Sequence, residues 1–235
     1  MALPRAPVRA VIFDLDGLLV DSEKHLLVAR NEVLATYPGR PRITREIELQ
    51  LLGLGSNCAQ RLIELTGIDA TVEEIHGKLH PLLERMFKNC RPMPGAVRLV
   101  QHLSRHGIPI AIATGSTDVK LRWKTEQLPE LMSAFRPNCI VTADTLAKLN
   151  ILGKPSPAVF LLAAERLGIT SPQDRAATLI FEDSVSGLVA SRAAGMMSVW
   201  VPDPELFPGA AVEEPTERLA SLDDFRPGLW SLPPY

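Results

Sequence analysis

Cysteine is scarce: Cys58, Cys90 and Cys139 are the only three in 235 residues. Odd in number, widely spaced and without a CxxC or metal-ligand pattern, they exclude a disulfide framework and a zinc ribbon. Free, buried thiols in a reducing compartment are expected instead. An excess of one charge is also missing. The 25 Lys and Arg and 27 Asp and Glu are spread along the chain and leave a net charge of −2, so there is no electrostatic footprint for nucleic acid or an anionic membrane. An anionic ligand would have to be held locally. Long apolar runs are absent too. Val8 to Phe13 and Ile108 to Ala113 are strand-sized, far below the roughly 18 to 20 residues that span a bilayer. The start, Met1-Ala-Leu-Pro-Arg-Ala-Pro7, lacks the apolar stretch of a secretory signal. No membrane span, a cytoplasmic location and a monomer are expected.

With 46% hydrophobic residues, a chain of this length buries a substantial core and has room for a smaller satellite. Val8-Arg-Ala-Val-Ile-Phe13 reads as a buried strand whose carboxyl end carries Asp14. From about Ser22 to Asn89 the pattern turns helical: Glu23 to Leu34, Arg45 to Leu52, Ala59 to Leu65 and Val72 to Phe87 repeat apolar residues near a period of 3.6. After the turn cluster Arg91-Pro-Met-Pro-Gly95 strands and helices alternate. Strands are expected at 108–113, 139–142, 177–181 and 198–201, and helices at 96–105, 119–127, 158–167 and 185–194. Repeated βα units imply an α/β fold, a doubly wound parallel sheet with helices on both faces. Residues 1–20 and 92–235 would form this core and residues 21–91 an inserted helical cap. Gly168 and Gly195 sit where left-handed helix caps are expected, and the proline-rich tail from Pro202 to Tyr235 should wrap the core surface.

In an open parallel sheet the carboxyl ends of the strands form the binding edge. Asp14 and Asp16, Thr114-Gly115-Ser116, and Glu182-Asp183 all fall there, and Lys154 joins them from the start of a helix. Each piece alone has a plainer reading, as a turn or a helix cap. Together, three of these carboxylates, Asp14, Asp16 and Asp183, would repel one another unless a hard cation lay between them. Magnesium suits them, because it takes oxygen ligands and pairs with phosphate oxygens. The Thr114 hydroxyl and the backbone N–H groups at Gly115 and Ser116 could cradle a phosphate oxygen, and Lys154 adds a compact positive charge.

In this order the residues resemble the haloacid dehalogenase superfamily, specifically its phosphatases with a helical cap after the first motif. The likeness rests on Phe13-Asp-Leu-Asp-Gly-Leu-Leu-Val-Asp-Ser-Glu23, Ile112-Ala-Thr-Gly-Ser116, Gly153-Lys-Pro-Ser-Pro157 and Ile180-Phe-Glu-Asp-Ser-Val-Ser-Gly187, and covers nearly the whole chain. Met93-Pro-Gly, His106-Gly-Ile-Pro, Ala194-Gly-Met, Val201-Pro-Asp and the ending from Leu222 to Tyr235 are most similar to the pseudouridine-5'-phosphatase branch. Related glycerol-3-phosphate and sugar phosphatases remain open.

The resemblance implies Asp14 as nucleophile forming an aspartyl-phosphate, and Asp16 as general acid and then base. It implies magnesium held by the Asp14 carboxylate, the Asp16 carbonyl and Asp183, with Glu182 acting through water. Thr114, Gly115, Ser116 and Lys154 would hold the phosphoryl group of a small phosphomonoester. Two positions depart from the family pattern. Ala158 stands where the Lys154 motif usually carries aspartate, and Leu26 where the family's sugar phosphomutases carry a cap histidine. The neighbouring His25 is rotated about 100° away on a helix, which favours a hydrolase over a mutase. A non-catalytic phosphometabolite binder is the third reading. The loop Leu52-Gly-Leu-Gly-Ser-Asn57 is read either as facing substrate or as a plain interhelical turn.

Overall fold

The computed structural model describes residues 7–51, 54, 57–207 and 215–235. Most of the 52–57 loop lies outside them.

Short runs of aliphatic and β-branched residues form the strands, and those of the central strands are buried on both faces, as a parallel sheet covered by helices requires. The strands are β1 (Ala10–Phe13), β2 (Ile110–Ala113), β3 (Ile140–Val141), β4 (Thr178–Glu182), β5 (Met197–Trp200) and β6 (Glu217–Arg218). Their order is β3-β2-β1-β4-β5-β6, with every pairing parallel. The expected doubly wound sheet is what the chain forms. The order in which strands are added reverses between β1 and β4, so the crevice outside their carboxyl ends is the topological switch point where such folds bind ligands.

Side-chain alternation of period two splits the core into two layers. Val11, Phe13, Ile112 and Phe181 face α5 (Ala96–Arg105). Ile12, Ala111, Ala113 and Ile180 face α9 (Ala158–Arg166) and α11 (Val185–Ala193). Gly168 and Gly195, just past those two helices, have φ of +81° and +72°, as helix caps do.

Between β1 and β2 run α1 (Ser22–Leu34), α2 (Arg45–Leu51), α3 (Cys58–Thr66) and α4 (Val72–Phe87). Ile75, Leu79, Leu83 and Phe87 repeat every four residues on α4 and join Ala29, Val33 and Leu62 in a separate apolar cluster. A capping box of Thr71 and Glu74 starts α4, satisfying two backbone donors that a helix start leaves open. The two chain crossings into this helical unit are tied together. The Asp21 carboxylate accepts the Arg91 N–H at 2.6 Å, and Met93 N–H donates to the Leu19 carbonyl at 2.9 Å. Trp123, on α6 (Asp118–Thr125), packs into the helical cluster from the other side.

The tail departs from the surface wrap expected of it. Leu222, Phe225, Trp230 and Leu232 enter the core layer over α5. Trp230 is fully buried, with its ring N–H on Glu217 at 3.0 Å. Helices α7 (Pro129–Met132), α8 (Ala143–Lys148) and α10 (Pro172–Ala176) are too short to show a period and gave no signal. All three cysteines are free, Cys90 and Cys139 buried and Cys58 half-buried. His102, buried on α5, is satisfied by the Pro233 carbonyl at 2.8 Å. Among the described residues no helix is long and apolar enough to cross a membrane.

Candidate active site

Each parallel strand delivers the residue after it to the same edge, and the register places Phe13 beside both Ile112 and Phe181. Asp14, Thr114 and the Glu182-Asp183 pair therefore stand side by side without any long-range loop. The Asp14 N–H donates to the Phe181 carbonyl at 3.0 Å and Thr114 N–H to the Val141 carbonyl at 2.9 Å, so the sheet ladder fixes both.

The edge divides into two halves. In the first, Asp14, Glu182 and Asp183 place carboxylate oxygens within 4.8 Å of one another. Lys154 reaches in from the loop before α9 and forms ion pairs with both Asp14 and Glu182. It is thus aimed into the site although Ala158 replaces the usual aspartate. Glu182 is fully buried and also accepts from the Asp183 and Ser184 N–H groups at 3.1 and 3.0 Å. That locks the start of α11 to the end of β4. Two glycines make room: a Cβ on Gly187 would overlap the Glu182 carboxylate, and one on Gly17 would overlap that of Asp183. Gly17 also has a φ of +78°, the sharp exit turn expected after Asp16.

In the second half Asp16 is gripped from four sides. Ser22 donates to Oδ1 at 2.5 Å, Ser116 to Oδ2 at 2.8 Å, Thr114 to Oδ2 at 3.2 Å, and Lys124 forms an ion pair with Oδ1. Lys124, only 5% exposed, also donates to the Ser116 hydroxyl at 2.7 Å and sits 4.5 Å from the Phe87 ring centroid, a contact with the helical unit. Thr114 Oγ1 accepts the Ser116 N–H at 2.9 Å, which sets the loop around Gly115; a Cβ on Gly115 would meet nothing within 4 Å.

The sequence reading missed Ser22 and Lys124. Ser22 lay inside the quoted Asp-Ser-Glu motif with no role attached. Lys124 is a lysine in the last turn of α6 whose partner is 108 residues away, and no local signal marks it.

The two aspartates are driven in opposite directions. Burial raises Asp14 to about 8, with Glu182 and Asp16 adding to it against the pull of Lys154. Burial also opposes charge on Asp16, but Lys124, helped by Ser22 and Ser116, brings it down to about 2. Asp183 is raised well above the usual carboxylate range by burial and by Glu182 and Asp14. Burial works against the Lys154 ammonium, yet Asp14 and Glu182 hold it above its ordinary value.

Because the Asp16 carboxylate is stabilised only in the fold, its contribution is fully present above about pH 4. It is lost as pH falls through the folded value near 2, and amounts to about 2 kcal/mol. Asp16→Asn should accordingly flatten the acid limb of the stability curve between pH 4 and 2. Urea unfolding at several pH values measures this, and an unchanged acid limb would contradict it.

The first half suits a divalent cation. When ionised, its three carboxylates carry three negative charges against one from Lys154, and the donors are all hard oxygens. The elevated values at Asp14 and Asp183 are what such a set shows when nothing else neutralises it.

A haloacid dehalogenase-like hydrolase model matches residues 8–195. A probable pseudouridine-5'-phosphatase of Drosophila melanogaster is 36% identical over 95% of this chain and 94% of its own length. (DL)-glycerol-3-phosphatase 2 of Arabidopsis thaliana is 35% identical over 98% of this chain and 94% of its own. Among solved structures, a HAD family hydrolase from Deinococcus radiodurans with bound phosphate and sodium superposes with a TM-score of 0.72 at 26% identity. The match covers 98% of this chain and 100% of that one.

Proposed function

Given that the chain belongs to the haloacid dehalogenase-like hydrolases, we propose that it removes phosphate from a small molecule with magnesium, using Asp14 as nucleophile. It is a phosphomonoester phosphatase acting on phosphorylated small molecules. The observation that carries the finer reading is geometric: Asp14, Glu182 and Asp183 bring carboxylate oxygens within 4.8 Å of one another around the Lys154 ammonium, and Asp16 is held beside them by Ser22, Ser116 and Lys124.

Asp14 would attack phosphorus to give an aspartyl-phosphate, splitting one displacement into two. Asp16, held by Ser22, Ser116 and Lys124, would give a proton to the leaving alcohol and later take one from the attacking water. Thr114, the Gly115 and Ser116 backbone and Lys154 would bind the transferring phosphoryl oxygens, where charge accumulates. The Asp14 carboxylate, the Asp16 carbonyl and Asp183 would hold magnesium, with Glu182 acting through water. When bound, the cation neutralises the carboxylates and the phosphoryl oxygens so that the two anions can meet. Helices α1 to α4 would act as the cap, residues 21–91 over a core of 1–20 and 92–235, excluding water from the reacting centre.

For substrate, pseudouridine 5'-phosphate or a similar nucleotide, polyol or sugar phosphate is the reading the relatives' names support. A mutase is the weaker reading. Leu26 packs against the helical cluster and offers no acid or base, and the His25 ring lies 4.0 Å from Asp21 at the chain crossings.

The test is release of inorganic phosphate, with and without magnesium, from pseudouridine 5'-phosphate, uridine 5'-phosphate, glycerol 3-phosphate and hexose phosphates. Magnesium-dependent release favouring one compound is expected. Isomerisation of a sugar phosphate with no net release would establish the mutase instead.

A further inference from the structure

Beside Asp16, on the side facing the helical unit, three charged side chains stand partly buried without an ion pair among the described residues: Glu23 and Arg30 on α1 and Lys120 on α6. Glu23 and Arg30 are seven residues apart, two helical turns, and so share one face of α1. Glu23 lies nearest the reacting end, with its Cγ 3.5 Å from where a Cβ on Gly17 would sit. It is close enough to Asp16, Arg30 and Lys124 for each to shift its ionisation, and burial pushes its carboxyl upward. Lys120 is near Lys124, Asp16 and Arg30, and burial lowers its ammonium. Arg30 donates one N–H to the Cys58 sulfur at 2.7 Å; its other donors have no described partner.

Charges of both signs in one half-buried place ordinarily pair with each other, because leaving them apart forfeits the attraction that offsets desolvation. Among the described residues none of the three is within 4.0 Å of an opposite charge, although Lys124, Lys154 and Asp16 close by are all paired. Separated, partly desolvated groups of opposite sign converging on a reacting centre are the polar anchors of a ligand pocket.

We infer that Glu23, Arg30 and Lys120 select the leaving group: an alcohol with a hydroxyl one or two carbons beyond the phosphoester carbon, accepted by Glu23, and carbonyl or hydroxyl acceptors farther out, bound by Arg30 and Lys120. This rests on the phosphatase reading above. Nucleosides and polyols meet the requirement; simple alkyl and aryl alcohols do not. A site built to hydrogen-bond its ligand rejects analogues lacking those groups, since its own polar atoms are then left unpaired.

The experiment compares kcat/KM of the full chain with magnesium for Glu23→Gln, Arg30→Met and Lys120→Met. The substrates are pseudouridine 5'-phosphate, glycerol 3-phosphate and ethyl phosphate. Each variant should lose about tenfold or more on at least one hydroxylated ester, chiefly through KM, and stay within about twofold of wild type on ethyl phosphate. Should Arg30→Met fail to fold because Arg30 also holds Cys58, Glu23→Gln and Lys120→Met carry the test. Equal losses on all three esters, or a wild type that cleaves ethyl phosphate as well as the hydroxylated ones, would overturn the inference and leave the phosphatase standing. A wild type that releases phosphate from none of them would overturn the phosphatase reading and this one with it.

Discussion

Asp14→Asn should abolish turnover, by on the order of 10⁴-fold or more as the loss of a covalent nucleophile does, and in metal-free solution it should also stabilise the fold. The two effects have one origin. Asp14 is nearly inaccessible and shares its corner with Glu182 and Asp183, so ionising it inside the fold is costly. Its folded value near 8 lies above the ordinary carboxylate value. The stability it contributes is therefore fully present below about pH 4 and lost as pH rises through 8. An asparagine has no proton to lose, and Lys154 retains Glu182 as a partner. In EDTA, wild type should weaken from pH 5 to 8 while the variant changes less, so the gap between their unfolding midpoints widens with pH. A gap that stays constant or narrows would show that the site stores no such cost. This is the exchange of stability for reactivity expected where a fold holds a strained charge for chemistry.

Lys124→Met has the second largest expected effect, on stability first. Lys124 is buried beneath the helical unit, and among the described residues its ion pair is with Asp16 alone. Removing one member of a buried pair leaves the other charged and unpaired, at a cost of about 3 kcal/mol. Three hydroxyls would still reach Asp16, which keeps the cost at the lower end. Asp16→Asn in the same background should recover a large part of the loss. The double-mutant cycle is thus expected to show a coupling of about 2 kcal/mol. Additive losses would mean that Lys124 serves only to pack against Phe87.

These two residues also mark how far the sequence could be read. Asp14, Thr114 and Asp183 were legible because a parallel sheet presents strand ends along one edge, and strands as apolar as Ala10–Phe13 and Thr178–Glu182 announce themselves. Helices α4 and α5 were legible to the residue because both repeat apolar positions over ten residues or more. Lys124 was not, since a lysine between Trp123 and Thr125 looks the same whether it faces water or a carboxylate 108 residues away. The tail was misread for a related reason. Its prolines point to loop, and a chain without periodic structure gives no sign of which apolar residues turn inward. Trp230 is covered because the layer over α5 needs filling, a requirement that exists only once the sheet is formed. Gly187 likewise reads as an ordinary helical glycine until the Glu182 carboxylate is seen to occupy the space of its missing side chain.

The most direct test of the central claim is to look for the covalent intermediate. The enzyme is mixed with a radiolabelled phosphomonoester and magnesium, quenched in acid within one turnover, digested, and its peptides examined for label before and after hydroxylamine. The account predicts a hydroxylamine-labile phosphoryl group on the peptide containing Asp14, absent in Asp14→Asn. Turnover with no label on that peptide, or label that persists in Asp14→Asn, would contradict it.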